Sequence, residues 1–295
     1  DKDFPGMLNV IHEQAWSLWN DFLEPEFGFD EKYLQVTFSG HRGFHLHYRD
    51  PSLFHLDSEA RREMVSYIRG EGVDVKGGLA RYHDLSSEGW TRRIRDGMGD
   101  MIEKLRMIAR KEQGYMADLN ALHQGLLSQS QREGRTSTKG KVSIQNLADV
   151  VNHDARSQRL RSGSFGVLEK YESLFLDLLK TDSSVVLGSA GETDEVVTID
   201  VRRQIRWPTS LHGKTGMRVS EFPLDRLDPD GSNPYSPLNE ALALSTQDMM
   251  EVEMIVDNSI SQFGERVIDK QSGERFEIHE AGATFLILKG WAKVV

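Results

Sequence analysis

Three segments of the chain carry residue types that could hold a phosphate group or a metal ion. They are Asp1-Lys2-Asp3, the run SGHRGFH from Ser39 to His45, called the second motif below, and the stretch from Asp194 to Gly216, whose final run RWPTSLHGKTG is called the third motif. Carboxylates suit hard divalent cations such as Mg²⁺, whereas arginine, lysine and histidine suit phosphate oxygens. The three segments therefore complement one another in charge, as the parts of a site for a metal-bound phosphate compound would.

Asp1 and Asp3 are the first candidate metal ligands, because two carboxylates separated by one residue point to the same side of a strand. A third carboxylate would complete a two-metal site. Asp194 and Asp200 share one face if the segment from Glu195 to Ile205 is a strand, and this parity does not choose between them. In isolation, an Asp-x-Asp pair lies more often in a solvated turn than in a set of metal ligands, so other segments must supply the specificity.

The run SGHRGFH has the composition of a phosphate-binding turn. Its two glycines let backbone amides approach a phosphate closely, Ser39 offers a hydroxyl donor, and Arg42 can form a forked contact with phosphate oxygens. His45 can donate or accept, and His41 lies between these candidates. The alternative is a tight hairpin whose arginine and histidines are merely solvated.

The run SLHGKTG differs from a P-loop, which needs a glycine five residues before its Gly-Lys pair, where this chain has Pro208. In an extended segment Ser210, His212 and Lys214 would project to one side, with Arg206 upstream. Opposite charges about 4 Å apart interact by roughly 4 kcal/mol at an effective dielectric near 20, so this arrangement suits a triphosphate. The alternative is a basic surface loop.

Composition excludes several classes of site. The chain has 295 residues and no cysteine, so thiolate zinc sites, iron-sulfur clusters and disulfides cannot form within it. A net charge of -10 argues against indiscriminate binding to nucleic acid, yet residues 201–220 contain five arginines and lysines and no acid. No apolar stretch has the length of a membrane helix or a signal peptide, so we expect a soluble, cytoplasmic protein.

Hydrophobic spacing predicts an α+β fold. We expect a catalytic core made from residues 1–90 and 184–295, interrupted by a mainly helical subdomain over residues 91–183. The expected elements are helices over Gly6 to Leu23, Ser58 to Arg69, Trp90 to Leu127 and Asp248 to Ile260, strands at Leu34 to Phe38, Phe44 to Tyr48 and Glu195 to Ile205, and a hairpin at Ser272-Gly273.

The run SGHRGFH, followed downstream by DEVVTID and then by IRWPTSLHGKTG, resembles the archaeal and eukaryotic DNA primase catalytic small subunits. The resemblance extends to PEFGF, VKGG, PLDRLDP and FLILKGWA, so it covers both ends of the chain. It implies a primase-type mixed α/β core with an inserted helical subdomain. It also implies a DNA-directed nucleotidyltransferase of the primosome, which makes primers in DNA replication from nucleoside triphosphates on single-stranded DNA.

The resemblance also implies roles for particular residues. Asp1, Asp3 and Asp194 match the carboxylates that bind two Mg²⁺ or Mn²⁺ ions, and Asp194 is preferred to Asp200 because it heads the DEVVTID segment. The positions that match the family's nucleotide-binding motifs, together with their polar neighbours, are Ser39, His41, Arg42, His45, Arg206, Ser210, His212 and Lys214.

The family implies a large-subunit partner that carries an iron-sulfur cluster. Two departures from its pattern are visible: the chain begins at or inside the DxD motif, and the cysteine-rich zinc motif of many members is missing, so no zinc is expected. Two alternatives remain open at this point. One is a primase-polymerase or repair polymerase of the same superfamily, and the other is a non-catalytic subunit that binds nucleotide or nucleic acid.

Overall fold

The computed structural model describes residues 3–73, 89–132, 134, 136, 139–181, 195–257 and 260–295. These residues form α-helices and small antiparallel sheets, which confirms the predicted α+β class. Asp1, Asp194 and the VKGG run at 75–78 lie outside the described residues.

Helices and strands are numbered in chain order over the described residues. The helices are α1 (Phe4–Leu18), α2 (Ser58–Ile68), α3 (Gly89–Arg110), α4 (Tyr115–Arg132), α5 (Lys141–Val151), α6 (Asp154–Arg161), α7 (Glu172–Leu179), α8 (Glu195–Ile199), α9 (Pro237–Glu240) and α10 (Glu280–Leu288). The strands are β1 (Leu34–Phe38), β2 (Phe44–Tyr48), β3 (Ser220–Phe222), β4 (Met249–Met254), β5 (Gln262–Phe263), β6 (Arg266–Val267), β7 (Arg275–His279) and β8 (Ala292–Val294).

The chain divides into two compact units. One combines Asp1–Asp57 with Asp200–Val295, and the other is Ser58–Ile199. The first holds every strand of the described residues, whereas the second is helical there. The narrower subdomain bounds of 91–183 stay a prediction.

The first unit contains two three-stranded antiparallel sheets. In one sheet β1 is central, and Val36 pairs with Leu46 of β2 and with Phe222 of β3. In the other, β4 lies between β7 and β8. Phe4 of α1, Phe38 of β1 and Phe285 of α10 are fully buried in the same core cluster, so this core joins both ends of the chain.

The second unit is organised around α3. Its buried stripe, which includes Ile94, Met98, Met101 and Leu105, has the helical spacing that the sequence predicted. This stripe belongs to one cluster with the buried residues of α4, α5 and α7. No helix of the described residues is both long and apolar enough to cross a lipid bilayer.

The strand predicted from Glu195 to Ile205 is wrong. Residues Glu195–Ile199 form helix α8, whose Ile199 is buried and which packs against α2. The β-branched residues of this segment favour a strand. The observed short helix instead buries Ile199 and packs against α2. The shared strand parity of Asp194 and Asp200 therefore does not apply.

The helix predicted from Asp248 to Ile260 is also wrong, because Met249–Met254 is strand β4. Val252 and Met254 are buried, and Glu253 between them is ion-paired to Arg275 of β7 and Lys293 of β8. This alternation has period two and marks a half-buried strand. The expected turn at Ser272-Gly273 precedes β7, which pairs with β4.

Candidate functional site

The first part of the site is the turn between β1 and β2. Phe38 pairs with Phe44 across this hairpin, and the Ser39 amide donates to the Gly43 carbonyl at 2.8 Å. Gly40 has a φ of +82°, a left-handed conformation that favours glycine. The glycine turn predicted from SGHRGFH is confirmed, and it leaves Arg42 exposed at its tip.

The second part is a narrow hairpin made by the third motif. The Val219 amide donates to the Ser210 carbonyl at 2.8 Å, and the His212 amide donates to the Met217 carbonyl at 2.9 Å. Residues 213–215 turn at its tip, and the Lys214 amide donates to His212 Nδ1 at 3.2 Å. The segment is therefore extended only as far as His212, and Lys214 projects from a turn.

The two turns are joined by direct contacts. Thr215 Oγ1 donates to the Gly40 carbonyl, and the rings of His41 and His212 stack with centroids 4.9 Å apart. Thr215 and His212 are buried, with 1% and 7% of their surfaces exposed. The fold thus brings together two motifs that lie about 170 residues apart in sequence. No pattern in the sequence indicated that Thr215 links them.

Asp3 directly precedes α1, whose first residue contacts this site. Its carboxylate caps the helix, because Asp3 Oδ1 accepts the Gly6 amide at 2.8 Å. The ring of Phe4, the next residue, stacks on His41 with centroids 5.9 Å apart. Gly6 leaves the space that the carboxylate occupies, since a Cβ there would lie 2.1 Å from Asp3 Oδ2. One of the three predicted metal ligands is therefore the direct neighbour of a residue that contacts the second motif.

A cation that the sequence did not single out also lies at this site. Lys289 follows α10, and its Nζ lies 4.8 Å from the centroid of the Phe4 ring and 5.0 Å from that of Trp291. The run FLILKGWA resembles the family but carries no residue type pattern that assigns a role to its lysine. A lysine placed directly after a buried helix and before a Gly-Trp pair was the available signal.

The site is electropositive, because Arg42, Arg206, Lys214 and Lys289 lie near its two histidines. The pKa of His41 is lowered from 6.5 to about 4, chiefly by burial and then by the neighbouring His212, Lys289, Arg42 and Lys214. Burial also lowers the pKa of His212, with Arg206 and Lys214 as the next causes. Both rings are therefore neutral near pH 7, and the nearby cations favour an anionic ligand.

The ring of His41 can form a further hydrogen bond. Its Nε2 atom is buried and makes no hydrogen bond to any residue that the structure describes. A buried ring nitrogen without a partner costs free energy, which a ligand atom can recover. His45 lies on β2, where it pairs with Thr37 of β1, and its ring contacts the ring of His47.

The remaining predicted residues are placed as follows. Arg206 is exposed and close enough to His212 to influence its pKa, whereas the Ser210 hydroxyl donates to the Trp207 carbonyl at 2.6 Å. Asp1 and Asp194 lie outside the described residues, within which no three histidine, aspartate or glutamate side chains cluster as metal ligands would.

Replacing Gly40 with alanine is expected to destabilise the protein and to weaken anion binding. The new Cβ would lie 2.8 Å from His212 Cβ and 3.0 Å from the Met217 carbonyl oxygen, at a φ of +82°. The left-handed conformation alone costs about 1–2 kcal/mol for a residue with a Cβ. Urea unfolding measures this loss of unfolding free energy.

Gly43→Ala is the matched control for stability. Its nearest contact would be Ser39 Oγ at 3.4 Å, which is ordinary van der Waals contact. We expect its unfolding free energy to stay within about 0.5 kcal/mol of the unmodified protein. Equal stability of the two variants would contradict the close packing of the two turns.

Comparison with known proteins gives a consistent result. The model of the DNA primase small subunit family matches residues 2–223. The chain is 31% identical to the DNA primase small subunit PriS of Methanothrix thermoacetophila over 312 residues, which covers 99% of this chain and 72% of the relative. It is 32% identical to PriS of Halorubrum lacusprofundi over 300 residues, with coverage of 98% and 70%. The corresponding values for PriS of Methanococcoides burtonii are 28% over 310 residues, 99% and 72%.

Proposed function

Because this chain belongs to the DNA primase small subunit family, we propose that it synthesises short primers from nucleoside triphosphates on single-stranded DNA. It is a nucleotidyltransferase of DNA replication, and the names of its relatives do not favour a repair polymerase or a non-catalytic subunit. The observation that carries the proposal is the cationic site in which the second and third motifs meet around His41 and His212.

The incoming nucleotide binds with its triphosphate at these two turns. Arg42 and Lys214 contact phosphate oxygens, as their exposed positions at the two tips allow. His41 offers its buried Nε2 atom to the same ligand. Ser39, His45, Arg206, Ser210 and His212 complete the proposed nucleotide site.

The carboxylate chemistry of Asp3 fits a divalent cation. Its side chain is exposed and presents the hard oxygen ligands that Mg²⁺ and Mn²⁺ prefer. Asp1 and Asp194 would hold two such ions together with it, by the family pattern. Bound there, the ions would supply positive charge at the α-phosphate and beside the attacking hydroxyl.

In the reaction, the 3′-hydroxyl oxygen of one nucleotide bonds to the α-phosphorus of the next. The bond from that phosphorus to the oxygen bridging to the β-phosphate breaks, pyrophosphate leaves, and the hydroxyl proton passes to water. Lys214 and Arg42 stabilise the negative charge that increases on the leaving pyrophosphate. Because the pKa of His212 is lowered, its ring is neutral and its Nδ1 can accept the Lys214 amide, which fixes the turn that carries this lysine.

The proposal includes a partner and a template. A primase large subunit with an iron-sulfur cluster assembles with this chain, which itself has no cysteine to hold such a cluster. The cation-rich segment of residues 201–220 contacts the template strand or the triphosphate locally, while the net charge of -10 limits unspecific binding. The complex works in the cytoplasm, at the replicating DNA.

Incorporation of labelled nucleotides on unprimed single-stranded DNA, with Mg²⁺ or Mn²⁺ and the large subunit, tests the proposal. We expect Asp194→Ala to abolish the products and Asp200→Ala to retain them. Asp200 Oδ1 accepts the Arg202 amide at 2.9 Å, as a residue that stabilises a local turn does. Full synthesis by Asp194→Ala would refute the role of that carboxylate, and no synthesis by the unmodified complex would refute the proposed function.

A further inference from the structure

We propose that Lys289 is a further phosphate-binding residue of this site, one that contacts the triphosphate of the incoming nucleotide together with Lys214. The inference rests on the proposed function and deepens it. Lys289 lies beyond residues 2–223, over which the family model matches, and it is not among the nucleotide-binding positions predicted from the sequence.

The first support is the packing of α10 against the tip of the third motif. Gly216 has a φ of +68°, and a Cβ there would lie 3.0 Å from Thr284 Cγ2 and 3.5 Å from Leu288 Cδ1. The turn that carries Lys214 therefore rests on the last turn of α10. Lys289, the next residue after that helix, is placed beside this turn.

The second support is that the backbone of Lys289 is fixed. The Gly290 amide donates to the Ile287 carbonyl at 2.9 Å, and the Trp291 amide donates to the Leu286 carbonyl at 2.8 Å. With a φ of +72° at Gly290, these two bonds form a Schellman motif, in which Lys289 is the C-cap. The lysine thus starts from a defined position rather than from a mobile loop.

The third support is the position of the ammonium group. It lies 4.8 Å from the centroid of the Phe4 ring, and Phe4 stacks on His41 of the second motif. It also lies 5.0 Å from the centroid of the Trp291 ring. Cation–π contacts with two rings hold the ammonium at the edge of the site, where three segments of the chain meet.

The charges around Lys289 agree with an anionic ligand. Burial lowers its pKa, and the charges of Arg42 and Lys214 lower it further. These are the two cations to which the triphosphate is assigned, so Lys289 belongs to the same electropositive region. A polyphosphate placed among the three cations would offset their mutual repulsion.

The test measures binding of inorganic tripolyphosphate by calorimetry, with the full chain and three single variants. Lys289→Met keeps the packing of the side-chain stem and removes the charge, and we expect it to weaken binding roughly tenfold. Lys289→Arg keeps the charge and should bind within about threefold of the unmodified protein. Lys293→Met is the matched control, because Lys293 is exposed and its Nζ is paired with Glu253 Oε1 at 2.7 Å, so we expect no change.

A second measurement separates phosphate binding from a structural role. If Lys289 contacts the anion, Lys289→Met also reduces the dependence of the affinity on salt concentration, which a loss of packing alone would not do. Trp291→Leu keeps the charge but removes one of the two rings, and we expect about threefold weaker binding. This variant keeps the inference testable if Lys289→Met does not fold.

Lys214→Met distinguishes the two ways of failing. If Lys214→Met weakens binding while Lys289→Met and Trp291→Leu do not, this inference is wrong and the proposed function stands. If the unmodified chain binds neither tripolyphosphate nor nucleoside triphosphate, the proposed nucleotide site itself is wrong.

Discussion

Replacing Asp3 with asparagine should reduce primer synthesis by at least about a hundredfold while leaving the stability of the protein unchanged. Asparagine caps a helix as well as aspartate does, so the bond from the Gly6 amide to the side chain is retained. The negative charge is lost, however, and with it the affinity for a divalent cation. Nucleotide incorporation at saturating Mg²⁺ and thermal unfolding measure the two effects.

Asp3→Ala provides the comparison for this prediction. It removes both the charge and the cap, so it should lose synthesis to the same extent and also about 1 kcal/mol of unfolding free energy. If Asp3→Asn synthesised primers at the normal rate, Asp3 would be a helix cap only. The metal ligand at this end of the chain would then be another residue.

The unfolding free energy should fall markedly as the pH is lowered from 7 to 5. Burial is the main cause that lowers the pKa of both His41 and His47 to about 4 from an ordinary value of 6.5. Between these values the unfolded chain binds protons that the folded chain excludes, so the stability is complete above pH 6.5 and is lost as the pH falls toward 4. After allowance for the partial exposure of both rings, each contributes on the order of 1 kcal/mol between pH 7 and 5.

Urea unfolding at several pH values measures this dependence. The titratable neighbours of His41 are His212, Lys289, Arg42 and Lys214, and those of His47 are His45 and Arg49, with Glu221 acting in the opposite direction. The double variant His41→Gln, His47→Gln should show a clearly smaller loss of stability over the same range. The pKa values of His12, His212 and His279 are also lowered, so these residues supply the remaining pH dependence. An unchanged slope in the double variant would contradict the burial of these two rings.

The parts of the site that the sequence predicted are those with a local signal. Alternating apolar residues around a glycine pair predict β1, β2 and their turn, because strand period and turn chemistry both act within a few residues. The charges of Arg42 and Lys214 likewise predict an anion site from residue type alone. The predictions for Ser39, Asp194 and the other site residues remain to be tested by mutation.

The parts that the sequence could not predict depend on long-range packing. In Met249–Met254 a charged residue alternates with buried ones, and the strand was missed because the flanking apolar residues also fit a helix. The contact of Lys289 with Phe4 joins residues near the two ends of the chain, and no spacing rule covers that separation. The same holds for Thr215 and Gly40, whose hydrogen bond defines how the two motifs meet.

The pairing of β1 with β3 has a consequence for the synthesis of the protein on the ribosome. Val36 pairs with Phe222, so the whole helical unit, Ser58–Ile199, leaves the ribosome between the two partners. The described part of that unit is helical and has its own buried cluster, so we expect it to fold largely while translation continues. The second motif can contact the third motif only after residues 58–199 have been synthesised. A nascent chain therefore acquires its nucleotide site late in translation.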